Sequence, residues 1–332
     1  MEVRYGYPFK GEALESMRRF LATCGIGYDQ GAEFSVCVMD GGRIAAVGSL
    51  EGRVLKCIAV SPDYQGGGLA AQVITELVNQ AARQGSYHLF IFTKPENREL
   101  FGSMGFYPIA ETGRALLMEN RKNGIADYVL SLKKGNAGPA GCIVANCNPF
   151  TKGHLYLIEN AARRCGIVHL FILSEDKSEF PAEVRRLLVQ KGTAHLSNVI
   201  VQPAGAYIIS AATFPGYFYR EPSAAAEANG ELDLKIFCEH IARPLGITLR
   251  FAGTEPLSPL TCSYNSLMKK ILPRYGIELL ELPRLTDRSG EAISAGRVRA
   301  LLREGRLAEV KDLVPQVTWE YLAEHHQSSE VA

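Results

Sequence analysis

The sequence predicts an α/β chain of two domains, a strand-rich α+β domain over 1–135 and a second domain over 136–332 carrying a parallel sheet. Three observations carry this. The chain has 332 residues, against ~150 for an ordinary domain. A polar, glycine-rich stretch at 131–141, SLKKGNAGPAG, reads as a linker. Beyond it, apolar strand-like runs alternate with helical stretches, the pattern of βαβ units.

In the first domain, strands are expected at 34–39, 43–50, 54–60 and 87–93. One amphipathic helix carries Leu69, Val73, Ile74, Leu77, Val78 and Ala81 at helical spacing. In the second, strands are expected at 141–147, 167–173, 198–201, 247–252 and 276–282, with helices opening at Gly153 and Pro181. Thirty-six Lys+Arg against thirty-five Asp+Glu leave a net charge of +1, which argues against a nucleic-acid partner relying on a broad basic field. No apolar run approaches the ~18 residues of a membrane span, and the opening MEVRYGYPFK lacks the apolar core of a signal peptide. The eight cysteines form no CxxC pair, so reduced thiols in a cytoplasmic protein are expected, with no metal site.

The chemistry-bearing pattern lies in the second domain. A strand runs into Asn148-Pro149-Phe150-Thr151-Lys152-Gly153-His154 and then a helix. A helix start offers free N–H groups and a positive dipole end, which suit a polyphosphate. Thr151 can contribute a hydroxyl and His154 an imidazole, while Gly153 admits a close backbone approach. Far downstream, Ile293-Ser294-Ala295-Gly296-Arg297-Val298-Arg299 places small residues and cations at a second helix start, with Ser294 as its cap. Two such openings point to one nucleotide, provided that they converge in space. Lys152 and Arg185 read as solvated surface charges.

These two segments resemble the T/HxGH and ISxxxxR signatures of nucleotidyltransferases, with a Rossmann-like sheet. Narrower words resemble the citrate lyase ligase family: Asn148-Pro149-Phe150, Phe180-Pro181, Lys191-Gly192-Thr193-Ala194, Tyr207-Ile208-Ile209-Ser210, Ala212-Thr213-Phe214-Pro215, Gly253-Thr254-Glu255-Pro256 and Tyr264-Asn265. The resemblance implies an ATP-dependent acetylation of the thiol on the CoA-like arm of the acyl-carrier subunit of citrate lyase. It would run from acetate through acetyl adenylate, releasing AMP and pyrophosphate. It further implies that His154, Thr151 and Arg299 act on the phosphates. Asn148, Pro149, Phe150, Gly153, Gly253, Thr254, Ser294, Ala295 and Gly296 would bind ATP, and Mg²⁺ would be carried mainly by phosphate oxygens. Two positions depart from the pattern: Lys152 stands where relatives often have an apolar residue, and Gly296 where they often have a hydroxyl.

In the first domain, Gln65-Gly66-Gly67-Gly68-Leu69-Ala70 resembles the pyrophosphate loop of GNAT acetyltransferases. The stretch from Asn97 to Phe106 resembles that fold's C-terminal signature. The resemblance implies a CoA-like arm held by Gln65, Gly66, Gly68, Ala70 and Asn97. Phe101 stands where such enzymes often place a proton-donating tyrosine, and its ring cannot donate. Arm binding rather than acetyl transfer is therefore expected.

Two other readings stay open here. One is an adenylyltransferase acting on a phosphorylated small molecule, fused to a protein or amine acetyltransferase. The other is a nucleotide sensor without turnover. His88, His169 and His195 read as core or boundary residues. The aromatic group Phe214, Tyr217, Phe218 and Tyr219 reads either as an acceptor lining or as a packed loop.

Overall fold

The computed structural model describes residues 1–135, 138–174, 178–210, 212–213, 224–255 and 258–327. Its contacts divide into two units, Met1–Gly124 and Ile125–Ala332.

The first unit follows the order β1 (Glu2–Gly6), α1 (Gly11–Thr23), β2 (Phe34–Asp40), β3 (Arg43–Glu51), β4 (Val54–Val60), α2 (Leu69–Arg83), β5 (Phe90–Thr93), α3 (Arg98–Ser103), β6 (Tyr107–Glu111) and β7 (Leu116–Glu119). The seven strands lie in the order β1-β2-β3-β4-β5-β7-β6. Among these pairings, only β4 and β5 run parallel, and they pair at just Val54↔Phe90 and Leu55↔Ile91. From Lys56 onward β4 has no β5 partner, so the two strands part there. The helical stripe foreseen at 69–81 is real. Leu69, Val73, Ile74, Leu77 and Ala81 are buried and join Val36, Val38 and Leu50 of the sheet in one core. Each of the valine, leucine and isoleucine side chains among these contributes about 1.5–3 kcal/mol on leaving water. The expected strand at 87–93 begins later, at Phe90, because Tyr87 is exposed and its carbonyl is taken by the Asn120 side chain.

The second unit continues with α4 (Gly124–Ser131), β8 (Ala140–Ala145), α5 (Lys152–Ala162), β9 (Ile167–Ile172), α6 (Ala182–Gly192), β10 (Val199–Pro203), α7 (Ala224–Ile236), β11 (Ile247–Gly253), α8 (Pro259–Ile271), β12 (Glu278–Leu282), α9 (Ala295–Arg303), α10 (Leu307–Val310) and α11 (Gln316–Gln327). Its sheet is wholly parallel in the order β10-β9-β8-β11-β12. The chain winds outward from β8 to β10 and then returns to place β11 on the other side of β8. That reversal opens a crevice beyond the carboxyl ends of β8 and β11, where ligands bind in open α/β sheets. The division between units falls ahead of the glycine-rich linker expected to mark it, for a local reason. Helix α4 precedes that linker yet belongs to the second unit: the Tyr128 hydroxyl donates to the carbonyls of Pro203 and Ala204, at 3.0 and 2.9 Å. Its ring also packs on Tyr207. No helix among the described residues is long and apolar enough to cross a membrane.

Arg185, read as a surface charge, is completely buried. It pins the strand ends together: Nη1 reaches the Asn146 and Leu173 carbonyls, each at 2.9 Å, and Nε donates to the Phe180 carbonyl at 2.9 Å. Strand-end carbonyls have no ladder partner left, and a fixed guanidinium fork satisfies several at once. Arg185→Met is expected to lower stability by about 3 kcal/mol or more, since it strands buried acceptors. Arg185→Lys is expected to recover little of this, because one ammonium cannot reproduce the fork. Urea unfolding of the two variants measures both.

Candidate active site

A cavity of about 290 Å³ fills the crevice. Its walls take residues from β8 (Val144, Ala145), the start of α5 (Thr151, Gly153, His154), β11 (Arg250 to Gly253), α8 (Thr261, Tyr264, Asn265, Met268), the 282–285 segment, and the start of α9 (Ile293, Ser294, Ala295). The two helix openings identified in sequence therefore face one space.

Their approach has a steric basis. A Cβ on Gly153 would lie 2.8 Å from the Ile293 carbonyl oxygen, so only glycine lets α5 start against the segment leading into α9. Each opening is separately capped. Thr151 Oγ1 accepts from the His154 N–H, and His154 Nδ1 accepts in return from the Thr151 N–H at 3.1 Å, a reciprocal capping box. Ser294 Oγ accepts from the Arg297 N–H at 3.2 Å. The capping box also assigns the histidine tautomer. Nδ1 is an acceptor, so the neutral ring carries its proton on Nε2. Burial and then the nearby Arg284 cation draw the His154 pKa down to about 4. The ring is thus a neutral hydrogen-bond donor at ordinary pH.

Among the described residues, two guanidiniums line the cavity. Arg284 donates to the Thr254 carbonyl at 2.9 Å and is ion-paired with Glu255. Arg250 is only 4% exposed, in the middle of β11. Asn265 ties α8 to the strand ends through the Gly253 carbonyl (3.2 Å) and Glu281 (3.1 Å). Among the described residues, no group of three His, Cys, Asp or Glu side chains is placed to hold a metal.

Of the residues expected to bind ATP, Thr151, Gly153, His154, Gly253, Ser294 and Ala295 line the cavity. The others are placed differently. Asn148, Pro149 and Phe150 are buried. The Asn148 side chain accepts from the Phe180 N–H, and its carbonyl accepts from Arg299. Phe150 lies in the core and stacks behind the His154 ring, centroids 6.2 Å apart. Thr254 is exposed beside the cavity, its N–H bonded to the Leu282 carbonyl. Gly296 and Arg299 also lie off the cavity wall. Arg299 bridges Asn148 and Glu179, with its guanidinium beneath the α9 start. Arg297 is ion-paired with Asp287 at 2.6 Å. Lys152, read as solvated, donates to the Asp312 carbonyl at 2.8 Å. Asn146, Arg250 and Arg284 line the cavity without having been singled out in sequence. The aromatics Phe214, Tyr217, Phe218 and Tyr219, with Pro215 and Pro256, lie outside the described residues.

In the first unit, Gly66 and Gly68 adopt φ of +80° and +76°, a conformation that glycine tolerates at little cost. They lead into α2, whose first-turn N–H groups lack intrahelical partners. Ala70 stands on that first turn, and Gln65 opens the loop. The Asn97 side chain is held by Thr93 Oγ1 at 2.8 Å. Phe101 is buried in the core.

Two outcomes follow from the second-unit site. Gly153→Ala must displace the Ile293 carbonyl, so ATP affinity is expected to fall by about tenfold while the fold persists. Calorimetric titration reads this. The His154 ring is expected to show the Nε2–H form and no titration above about pH 5 by NMR. Because its folded pKa lies below the free value, its contribution to stability is present above about pH 6.5 and is lost as pH falls toward 4.

Residues 140–322 match the family model for the citrate lyase ligase C-terminal domain, and residues 10–115 match the acetyltransferase (GNAT) domain. The first unit is thus GNAT-like. The citrate pro-3S-lyase ligase of Klebsiella pneumoniae is 40% identical over 321 residues, spanning 95% of this chain and 94% of that one. The same enzyme of Escherichia coli K12 is 42% identical over 323 residues, spanning 94% and 91%. That of Haemophilus influenzae is 40% identical over 320 residues, spanning 93% and 95%. With its ligase domain matched over more than half its length and its relatives aligned almost end to end, the chain belongs to the citrate lyase ligase family.

Proposed function

We propose that the protein acetylates the thiol of the CoA-like arm on the acyl-carrier subunit of citrate lyase, using acetate and ATP. In the first step an acetate oxygen forms a bond to the α-phosphorus and the bond to the bridging β-oxygen breaks, its electron pair leaving with pyrophosphate. In the second, the arm's thiolate attacks the acyl carbon of acetyl adenylate and AMP departs. The observation that carries the reading is the convergence of two capped helix openings on one cavity, with a neutral imidazole N–H between them.

The chemistry asks little of the protein beyond placement and charge. Ser294 and the amides at the start of α9 would cradle the outer phosphates. Gly153 and Thr151 would hold the inner end of the chain, and His154 Nε2–H would donate to an α-phosphate oxygen as charge accumulates there. Arg299 is a positioning residue in this scheme, since it fixes the Asn148 turn and the α9 start rather than reaching the nucleotide. Removing one such oriented donor commonly costs 10²–10³ in rate. Mg²⁺ would enter on ATP, held by phosphate oxygens and water, and would offset phosphate charge. We place the protein in the cytoplasm, where its eight unpaired thiols stay reduced.

In the first unit, the loop from Gln65 to Ala70 would take the arm's pyrophosphate, with Asn97 alongside the parting strands β4 and β5. A phosphate at a glycine-rich helix start needs no side-chain cation.

The deciding measurement is pyrophosphate–ATP exchange. Exchange that requires acetate, and that falls by about 10²-fold or more in His154→Ala, supports the ligase reading. Exchange requiring a phosphorylated acceptor instead supports an adenylyltransferase, and ATP binding without exchange supports a sensor. For the arm, Ala70→Glu adds a carboxylate that suits a helix start but repels a pyrophosphate. It is expected to raise the carrier KM by about tenfold while leaving acetate-dependent exchange intact. Unchanged carrier kinetics would remove the arm assignment.

A further inference from the structure

The geometry points to Arg250 as the group that receives the carboxylate of the short acid, with the side chains of Ile209, Tyr264 and Met268 enclosing its alkyl end. The inference rests on the function proposed above and assigns the acid's place within that cavity.

Arg250 is an anomaly in its strand. Strand β11 reads ITLRFAG, pairs on both sides with parallel neighbours, and is otherwise built for burial. A guanidinium there gives up water and needs compensation. What it finds is weak. Its Nη1 donates to Cys142 Sγ at 3.3 Å, and its Cζ stands 4.6 Å from the centre of the Phe237 ring. The thiol is a poor acceptor, and burial pushes its pKa up, so it stays protonated and uncharged.

The buried acid whose charge does interact with Arg250, Asp233, forms no ion pair with it. Asp233 is fully buried, and its oxygens are occupied: Oδ1 accepts from the Ile209 N–H at 2.7 Å, and Oδ2 accepts from the Tyr264 hydroxyl at 2.6 Å. The Thr213 hydroxyl also bonds this carboxylate. Among the described residues, no carboxylate lies within ion-pairing distance of Arg250. Arg284, the other guanidinium on the cavity, is already neutralised by Glu255. Among the described residues, the cavity therefore holds one cation ion-paired to a carboxylate and one buried cation with no carboxylate in direct contact.

A carboxylate suits that guanidinium. Its two oxygens fit the guanidinium fork, and the pairing orients one oxygen while the other keeps a lone pair for attack. The cation also offsets the repulsion between an anionic nucleophile and a polyphosphate, without any proton transfer. Ile209, Tyr264 and Met268 line the same cavity. Tyr264 and Met268 stand one turn apart on α8 and, with Ile209, give that wall an apolar patch. Such a patch suits the alkyl end of a short monocarboxylate.

The test uses the full chain in acetate-dependent pyrophosphate–ATP exchange. Arg250→Met is expected to raise the acetate KM by about 30-fold or more, the scale of a lost charge-assisted bond. The ATP KM is expected to stay within about threefold, with Arg250→Lys intermediate. Met268→Ala, which leaves Arg250 in place, is expected to shift preference from acetate toward butyrate by about tenfold, the scale of one or two methylenes. An unchanged acetate KM in Arg250→Met, or a rise confined to ATP, overturns the inference and gives Arg250 to the nucleotide. If both Arg250 variants fail to fold, unaltered acid preference in Met268→Ala overturns it instead. Wild-type protein lacking acetate-dependent exchange refutes the proposed function itself, a result distinct from either.

Discussion

The second unit depends on one close approach, that of Gly153 to the Ile293 carbonyl. Two helix starts each carry unpaired N–H groups and a partial positive charge, so bringing them together is unfavourable until an anion joins them. The protein therefore needs structure that holds them in place without a ligand. It supplies cross-ties from the segment after β12. The Lys152 N–H donates to the Leu313 carbonyl at 3.0 Å, Lys152 Nζ reaches the Asp312 carbonyl, and Arg299 reaches the Asn148 carbonyl. These bonds fold α9 and α10 back onto the start of α5. The core beneath α9, with Val298, Leu301, Val310 and Leu313 buried, makes that return stable. The two openings are thus held in place by the chain itself, which would limit the reorganisation that binding the proposed anion demands.

The same frame sets the site's electrostatics. A whole-chain charge of +1 gives no hint of an anion site, because the positive potential here is local. It comes from helix ends and from two guanidiniums, one of them paired. His154 contributes a proton to a hydrogen bond and no charge, since the capping box and burial hold it neutral. In the proposed reaction, a neutral donor would avoid overbinding the ground-state triphosphate while still answering charge that grows at the α-phosphate. Interactions that strengthen only toward the transition state are those that raise the rate.

Much of this was legible in sequence, and what was not has two physical causes. Alternating strands and helices, the two helix openings, their caps and the α2 stripe follow from periodicity and local chemistry, which sequence records directly. Strand β1 escaped notice because it is an edge strand with most of its residues exposed, and so carries no alternation to read. Arg185, Phe150, Arg250 and Arg284 were misplaced or passed over for a different reason. Whether an arginine is a surface charge or a buried clasp depends on which carbonyls the fold delivers to it, and spacing does not encode that. Phe150 looked like a ligand contact because it sits within the phosphate-binding word. Its work is to back the His154 ring from the core, one step removed from the cavity.

The first unit poses a related question, since it keeps a glycine-rich anion loop while carrying Phe101 where a proton-donating tyrosine is usual in its fold. The proposed chemistry accounts for the change. In an acetyl transfer from acetyl-CoA, the thiolate is the leaving group, and a nearby hydroxyl assists by giving it a proton. In the reaction proposed here the thiol is the nucleophile and loses its proton, so there is no departing thiolate for a hydroxyl at position 101 to protonate. The departing AMP is a stable phosphate anion that needs no proton either. Neither half of the proposed sequence then calls for a general acid, which fits both a phenylalanine at position 101 and a His154 that keeps its Nε2 proton. The buried position of Phe101 adds a second reason for an apolar ring, because a tyrosine hydroxyl placed in that core would need a partner of its own.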